Sequence, residues 1–203
     1  SSFAPRTEHQ SVAFKNAMWL IGGSTQPDFN PRAPSPDASL KNDIWYSYNG
    51  ETWQSVENGP FSARREHQVT SFKGELWLTG GYDGEYKNDV WRSTNGISWS
   101  QVSVNEESGD QVFLSGIADH QVVNANGKLV LIGGYYETDN NSEKVFMNEI
   151  WHSYNGVKWE KHIISGHRFS PRSGHQVVSF DGKFWLIGGY AEVKDEEDKV
   201  TME

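Results

Sequence analysis

The chain has 203 residues, no cysteine, and 27 acidic side chains against 18 lysines and arginines, for a formal net charge of -9. That length suits one domain or two small ones, and the acidic balance argues against a nucleic-acid surface, which needs a basic stripe to displace counterions from phosphates; an acidic membrane is an equally poor partner. No apolar run reaches the roughly 18 residues of a spanning helix, and the first residues lack the charged-then-apolar order of a signal peptide.

In chain order the predicted elements repeat. The first unit, residues 5–56, opens at Pro5-Arg6-Thr7-Glu8-His9, passes a two-residue link at Lys15-Asn16, reaches Gly22-Gly23, crosses a Pro-rich insertion from Gln26 to Ser39, and closes with a block from Asn42 to Trp53. The second unit, residues 63–103, repeats His67, Lys73-Gly74, Gly80-Gly81 and a block from Asn88 to Trp99. The third, residues 117–163, repeats His120, Asn126-Gly127, Gly133-Gly134 and a block from Asn148 to Trp159. The fourth, residues 171–203, has His175, Asp181-Gly182 and Gly188-Gly189 but no such block. The distance of 13 residues from His to the first Gly is held four times. A period of this kind signals a repeat architecture.

Within a unit, segments such as Gln68 to Phe72 and Leu76 to Thr79 are short, rich in β-branched and aromatic residues, and bounded by turn residues, so they read as strands. The two-residue links can adopt the positive φ of primed hairpin turns. Each closing block, Asn-Asp/Glu-Ile/Val-Trp-x-Ser-x-Asn-Gly-x-x-Trp, reads as a second hairpin with Asn49-Gly50, Asn95-Gly96 or Asn155-Gly156 at its tip. A full unit is therefore four antiparallel strands, a to d, and the chain is all-β.

Pro-Arg-x-x-His before strand a, Gly-Gly after strand b, the aromatic of strand c and the Trp of strand d together resemble the kelch-repeat β-propellers, a group that includes galactose-oxidase-like propellers. The Ser-x-Asn-Gly-x-x-Trp tip is similar to a shortened Asp box. The resemblance covers the whole chain and implies a partial propeller of about 3.5 blades over residues 1–203. Four a–b hairpins stand against three c–d hairpins. Either the chain is a piece of a longer one, or two copies form a homodimer that completes a seven-bladed ring.

All nine tryptophans occupy repeat positions: Trp19, Trp77 and Trp185 on strand b, Trp45, Trp91 and Trp151 on strand c, Trp53, Trp99 and Trp159 on strand d. They read as packing between units, each burying about 150 Å² or more, and not as a stacking platform for a ligand. Fourteen of the 20 glycines fall in the Gly-Gly pairs and hairpin tips, and no helix follows them as a phosphate loop requires.

Function should sit on the face formed by the b–c and d–a connections. From the second Gly to the strand-c Trp is 22, 10 and 17 residues, and from the strand-d Trp to the next His is 14, 21 and 16. Long, unequal loops on a regular frame are where binding residues concentrate. Candidate ligand contacts in these loops are Phe29, Tyr82, Tyr86, Tyr135, Tyr136 and Tyr190. A second set would ring the central channel: Arg6, Arg64 and Arg172 share a register three residues before His, where the third unit has Ile117, while Glu8, Glu66 and Asp119 directly precede His, where the fourth has Gly174. Such residues either hold a zwitterion, polyol or charged side chain or form salt bridges between blades.

The four histidines, one per unit, suit hydrogen bonds between units better than a metal centre, whose ligands must converge. The acidic stretch after Tyr190 lacks the order of a calcium loop. No metal and no cofactor is expected. The preferred function is a non-catalytic propeller that binds a protein or carbohydrate ligand through the variable face. A sugar-acting enzyme, such as a sialic-acid mutarotase or sialidase-like hydrolase, and a purely structural role are the alternatives. Copper oxidases of this propeller type need a Tyr-Cys cofactor, and no Gly-x-Ser-x-Gly nucleophile motif is present. Zero cysteine suits a disulfide-free secreted protein as well as a cytosolic one; a secreted or cell-surface setting is preferred.

Overall fold

The computed structural model describes residues 3–25, 39–102, 116–138, 143–163, 165–194 and 200–202. Phe29 and nearly all of the Gln26–Ser39 insertion lie outside them, as do residues 195–199 of the acidic stretch.

The described residues form strands and turns, with no α-helix among them. The first sheet runs β1 (Gln10–Phe14), β2 (Ala17–Ser24), β3 (Leu40–Ser47) and β4 (Gln54–Ser55), each antiparallel to the next. The second runs β5 (Gln68–Phe72), β6 (Glu75–Thr79), β7 (Val90–Ser93) and β8 (Ser100–Gln101) in the same order. In the third unit β9 (Gln121–Ala125) and β10 (Lys128–Ile132) are followed by a separate ribbon, β11 (Tyr135–Glu137) with β12 (Lys144–Phe146), before β13 (Ile150–Ser153) and β14 (Glu160–Lys161) complete the four-stranded sheet. In the fourth unit β15 (Arg172–Ser173) pairs with β18 (Tyr190–Lys194), β18 with β19 (Val200–Met202), and β16 (Gln176–Phe180) with β17 (Lys183–Ile187). No sheet closes on itself among the described residues.

The turn chemistry expected from the sequence is present. Lys73 and Gly74 have φ of 50° and 77°, and the equivalent links in the other units also have both central residues at positive φ, the type I′ signature that matches strand twist. At the c–d tip, the Ser93 hydroxyl accepts from the Gly96 amide at 2.8 Å while Asn95 Oδ1 accepts from the Ile97 and Ser98 amides at 2.9 and 2.8 Å. Ser47/Asn49 and Ser153/Asn155 repeat the arrangement. The motif thus satisfies the tip's own amides, the use to which short polar side chains are put in turns.

Neighbouring sheets pack through three successive cores. Trp19, Ile21 and Ile44 of the first sheet meet Leu76, Leu78 and Trp99 of the second; Phe72, Trp77 and Val90 of the second meet Leu129, Leu131 and Trp159 of the third; Val130 and Ile132 of the third meet Val177 of the fourth. The first strands lie beside one another, and the Thr70 hydroxyl donates to the Val122 carbonyl at 2.8 Å to tie β5 to β9.

The His and Gly-Gly positions explain each other at these junctions. A Cβ on Gly80 would lie 2.9 Å from Cε1 of His120 in the next unit, so only glycine leaves room for the ring; its φ of +60° also favours glycine. His67 sits against Gly22 and His175 against Gly133 in the same way. The ring nitrogens reach back across the junction, His120 Nε2 to the Thr79 hydroxyl at 2.9 Å and His175 Nε2 to the Ile132 carbonyl at 3.1 Å. Burial holds the imidazoles neutral: His67 and His120 are pushed down to about 3, and His175 to about 4.

Candidate functional site

Glu8, Glu66 and Asp119 share an unusual backbone conformation, with φ of 56°, 57° and 55°, and Gly174 takes 63° at the same place in the fourth unit. This is the left-handed region, sparsely occupied by residues other than glycine. Its cause is a ladder between units: the Glu66 amide donates to the Glu8 carbonyl at 3.2 Å, Asp119 to Glu66 at 2.9 Å, and Gly174 to Asp119 at 3.2 Å. The glycine that interrupts the acidic register therefore keeps the backbone step and gives up the carboxylate. A Cβ there would lie 3.2 Å from Asp119 Oδ2.

The ladder sets three carboxylates in a row. Arg65 Nη1 donates to Glu8 Oε2 at 2.9 Å and lies 3.4 Å from Glu66 Oε1. The Tyr135 hydroxyl donates to Glu66 Oε2 at 2.6 Å. Burial, with the nearby Glu66 charge, raises the Asp119 carboxyl to about 6, and the same two causes raise Glu8 despite Arg65. Burial also pushes the Tyr86 hydroxyl up to about 12 and Tyr135 higher still, so both phenols remain protonated donors at neutral pH.

The variable-loop tyrosines line this row. The Arg65 guanidinium lies 5.3 Å from the Tyr82 ring centre. From there the aromatic contacts run unbroken: Tyr82 to Tyr86 at 5.0 Å, Tyr86 to Tyr135 at 5.5 Å, Tyr135 to Phe146 at 5.8 Å, and Phe146 to Tyr190 at 5.2 Å. Lys144 Nζ stands 4.3 Å from the Tyr135 ring centre. The rim carboxylates and the loop residues Tyr82, Tyr86, Tyr135 and Tyr190 are thus joined by continuous contacts, in which Tyr135 is buried. Tyr136, the next residue of β11, points to the other face of that ribbon by strand alternation.

The arginine register is separate from it. Arg6 makes a two-pronged pair with Asp43 at 2.6 and 2.9 Å and also donates to the Gly22 carbonyl; Arg64 does the same with Asp89 at 2.5 and 2.8 Å and with the Gly80 carbonyl. Burial pushes the Asp43 carboxyl up, but hydrogen bonds from Arg6 and Trp45 outweigh it and leave it below its ordinary range. These bridges join the lead-in segment to strand c of the same sheet, where bridges between units were expected. Where the third unit has Ile117, Glu149 replaces the aspartate and pairs with Lys161 and the Trp151 indole. Arg172 donates to the Gly188 carbonyl at 2.6 Å and to the Ser170 carbonyl and hydroxyl.

Several participants were not singled out from the sequence. Arg65 and Phe146 have no counterpart of their own type in the other units, so comparison between units passes over them, whereas Lys144 is matched by Lys199 at the offset of 55 that relates the third and fourth units. A signal that was readable is Phe-x-x-Arg: Phe3, Phe61 and Phe169 each precede an arginine of the register by three residues. Phe3 meets Trp45 and Trp53 edge-on at 6.1 and 5.2 Å, and Phe61 meets Trp91 and Trp99 at 6.0 and 5.6 Å. Among the described residues no three His, Asp or Glu side chains converge as a metal site.

No family model matches the chain. Over 199 residues, 97% of the chain, it is 25% identical to Beta-scruin of Limulus polyphemus, a kelch-repeat protein. Over 134 residues, 63% of the chain, it is 24% identical to the Leucine-zipper-like transcriptional regulator 1 homolog of Drosophila melanogaster. The matched regions span 20% and 13% of those two proteins. With the repeated four-stranded sheets, these distant similarities support a kelch-like relationship for the chain.

Proposed function

We propose that the chain is a non-catalytic protein-interaction module in which the four-stranded sheets serve as blades of a kelch-type propeller. Its ligand would be a partner's basic side chain, held over Glu8, Glu66 and Asp119 and walled by Tyr82 and Tyr86, with the buried Tyr135 holding Glu66 in place. The observation that carries this reading is the row of three carboxylates beside an unbroken aromatic strip. Carboxylates form charge-assisted hydrogen bonds with guanidinium and ammonium groups, and tyrosine faces attract the same cations. Arg65 and Lys144 neutralise only part of the acidic row, so a further cation completes the charge balance. The distant kelch-type relatives favour a protein ligand over a sugar. A sugar-acting site anchored on Arg6 and Arg64 is disfavoured because both guanidinium groups already hold Asp43 and Asp89.

Fluorescence anisotropy with labelled peptide libraries of opposite charge tests the proposal. Lys- and Arg-bearing peptides should bind saturably, with Glu66→Gln weakening them, while Asp- and Glu-bearing peptides should not. A parallel glycan array that yields specific binding, with no peptide selected, would overturn it.

A further inference from the structure

Arg65 and Lys144 stand in matching places. Tyr82 and Tyr135 each follow the Gly-Gly pair of their unit, and each bridges to the residue that precedes a left-handed carboxylate: Tyr82 to Arg65 before Glu66, Tyr135 to Ala118 before Asp119. In the second unit the bridging residue itself supplies a cation, and the Arg65 guanidinium lies over Tyr82 while pairing with Glu8 and Glu66. In the third unit the bridging residue is a buried alanine with no charge to offer. The cation over Tyr135 comes instead from β12, where Lys144 places its Nζ 4.3 Å from the ring centre. Burial is the main cause that raises the Asp119 and Glu8 carboxyls, and the Lys144 charge is one of those that pull both back.

The two cations are held differently. Arg65 donates to Glu8 at 2.9 Å, and its backbone exchanges hydrogen bonds with Tyr82 at 3.1 and 2.9 Å. Lys144 is exposed, and among the described residues its ammonium has the Tyr135 ring but no ion-pair partner. It rides on a ribbon that pairs over three residues outside the four-stranded sheet. We propose that Lys144 is an internal competitor for the acidic row: it covers the Tyr135 ring and gives way when a partner's basic side chain takes its place, whereas Arg65 stays. The proposal rests on reading the row as a cation site, and adds where the ligand cation sits and what it displaces. Displacing Arg65 would break a charge-assisted hydrogen bond. Displacing Lys144 exchanges one exposed cation–π contact for another and opens a tyrosine ring that is otherwise 4% exposed. The row therefore captures one basic side chain.

The test titrates the full chain with a blocked Gly-Ser-Arg-Ser-Gly peptide and follows it by NMR. In the free protein the Lys144 Cε protons should be shifted upfield by the Tyr135 ring current, and that shift should disappear as the peptide saturates. Lys144→Gln should tighten binding about two- to fivefold, the scale of one exposed cation–π contact. Lys158→Gln, the same loss of charge at a c–d tip, should leave the affinity unchanged. Peptide binding to the parent would overturn the competition, and leave the cation site standing, in any of three cases: Lys144 protons unshifted in the free protein or still shifted at saturation, equal affinity for Lys144→Gln, or an equal gain from Lys158→Gln. No binding to either the parent or Lys144→Gln would overturn both readings. Binding to Lys144→Gln alone would support the competition in its strongest form.

Discussion

Arg64 closes a two-pronged ion pair on Asp89, Nη1 to Oδ1 at 2.5 Å and Nη2 to Oδ2 at 2.8 Å, and ties the start of the second unit to its own third strand across 25 residues of sequence. The guanidinium is fully buried, and the same Asp89 carboxylate accepts the Trp91 indole at 2.7 Å. The pair positions the lead-in segment from which Arg65 and Glu66 project into the carboxylate row.

Removing one partner should therefore cost far more than removing both. Asp89→Ala leaves a buried guanidinium uncompensated and is expected to lose about 3–5 kcal/mol of stability in urea unfolding. The double variant Arg64→Ile with Asp89→Asn copies the third unit's Ile117 and keeps an acceptor for Trp91, so it should lose less than the single variant. A double variant less stable than Asp89→Ala would contradict the assignment.

Two glycine substitutions separate backbone strain from crowding. Gly80 and Gly127 have φ of +60° and +74°, but only Gly80 has its Cβ position occupied, by the His120 ring and the Ile117 carbonyl. Gly127→Ala should cost about 1–2 kcal/mol from left-handed strain, and Gly80→Ala about 1–3 kcal/mol more from overpacking. Thermal unfolding of both variants measures the difference.

The junction histidines predict acid sensitivity. Their folded pKa values, about 3 for His67 and His120 and about 4 for His175, lie below the unfolded value of 6.5. The unfolded chain therefore binds more protons between those limits, and stability present above pH 6.5 falls as pH drops through that window. Asp119 acts in the opposite sense: its carboxyl is raised from 3.8 to about 6, so its contribution is present in acid and lost as pH rises between those values. Melting temperature against pH should fall below 6.5 for the parent chain, fall less steeply for His120→Gln, and fall more steeply for Asp119→Asn.

The same carboxyl sets the pH dependence of binding. Basic-peptide affinity should weaken below pH of about 6 as Asp119 takes up its proton, and Asp119→Asn should remove that dependence while lowering affinity at neutral pH. Tyr135→Phe, which deletes the 2.6 Å hydrogen bond to Glu66, should reduce affinity by a factor of about five, the worth of about 1 kcal/mol. Isothermal titration at several pH values reads both effects.

Much of the architecture was legible in the residues because it is made by short-range chemistry. Strand alternation, two-residue links and Ser-x-Asn-Gly tips each act within about a dozen residues, and the recurrence of the links four times and of the tips three times carried the four-stranded sheet pattern directly. The b–c connections of the third and fourth units were read as loops, yet they form the β11–β12 and β18–β19 ribbons; the two sequences match at an offset of 55, but these short, polar segments carry no alternation strong enough to mark them as strands. Candidate contacts were legible as types and registers, but not in their pairing.

The sequence by itself determined the repeat, the nine tryptophan positions and the existence of acidic, arginine and tyrosine registers. Only the tertiary structure decided that the arginines turn to Asp43 and Asp89 while the carboxylates join the tyrosines. The reason is physical. An element's fold is encoded in its neighbours along the chain, whereas the meeting of Glu66 with Tyr135 depends on how successive sheets stack and where loops of unequal length come to rest. That stacking is set by the cross-junction contacts of His67, His120 and His175, and by the left-handed step that draws Glu8, Glu66 and Asp119 into one row.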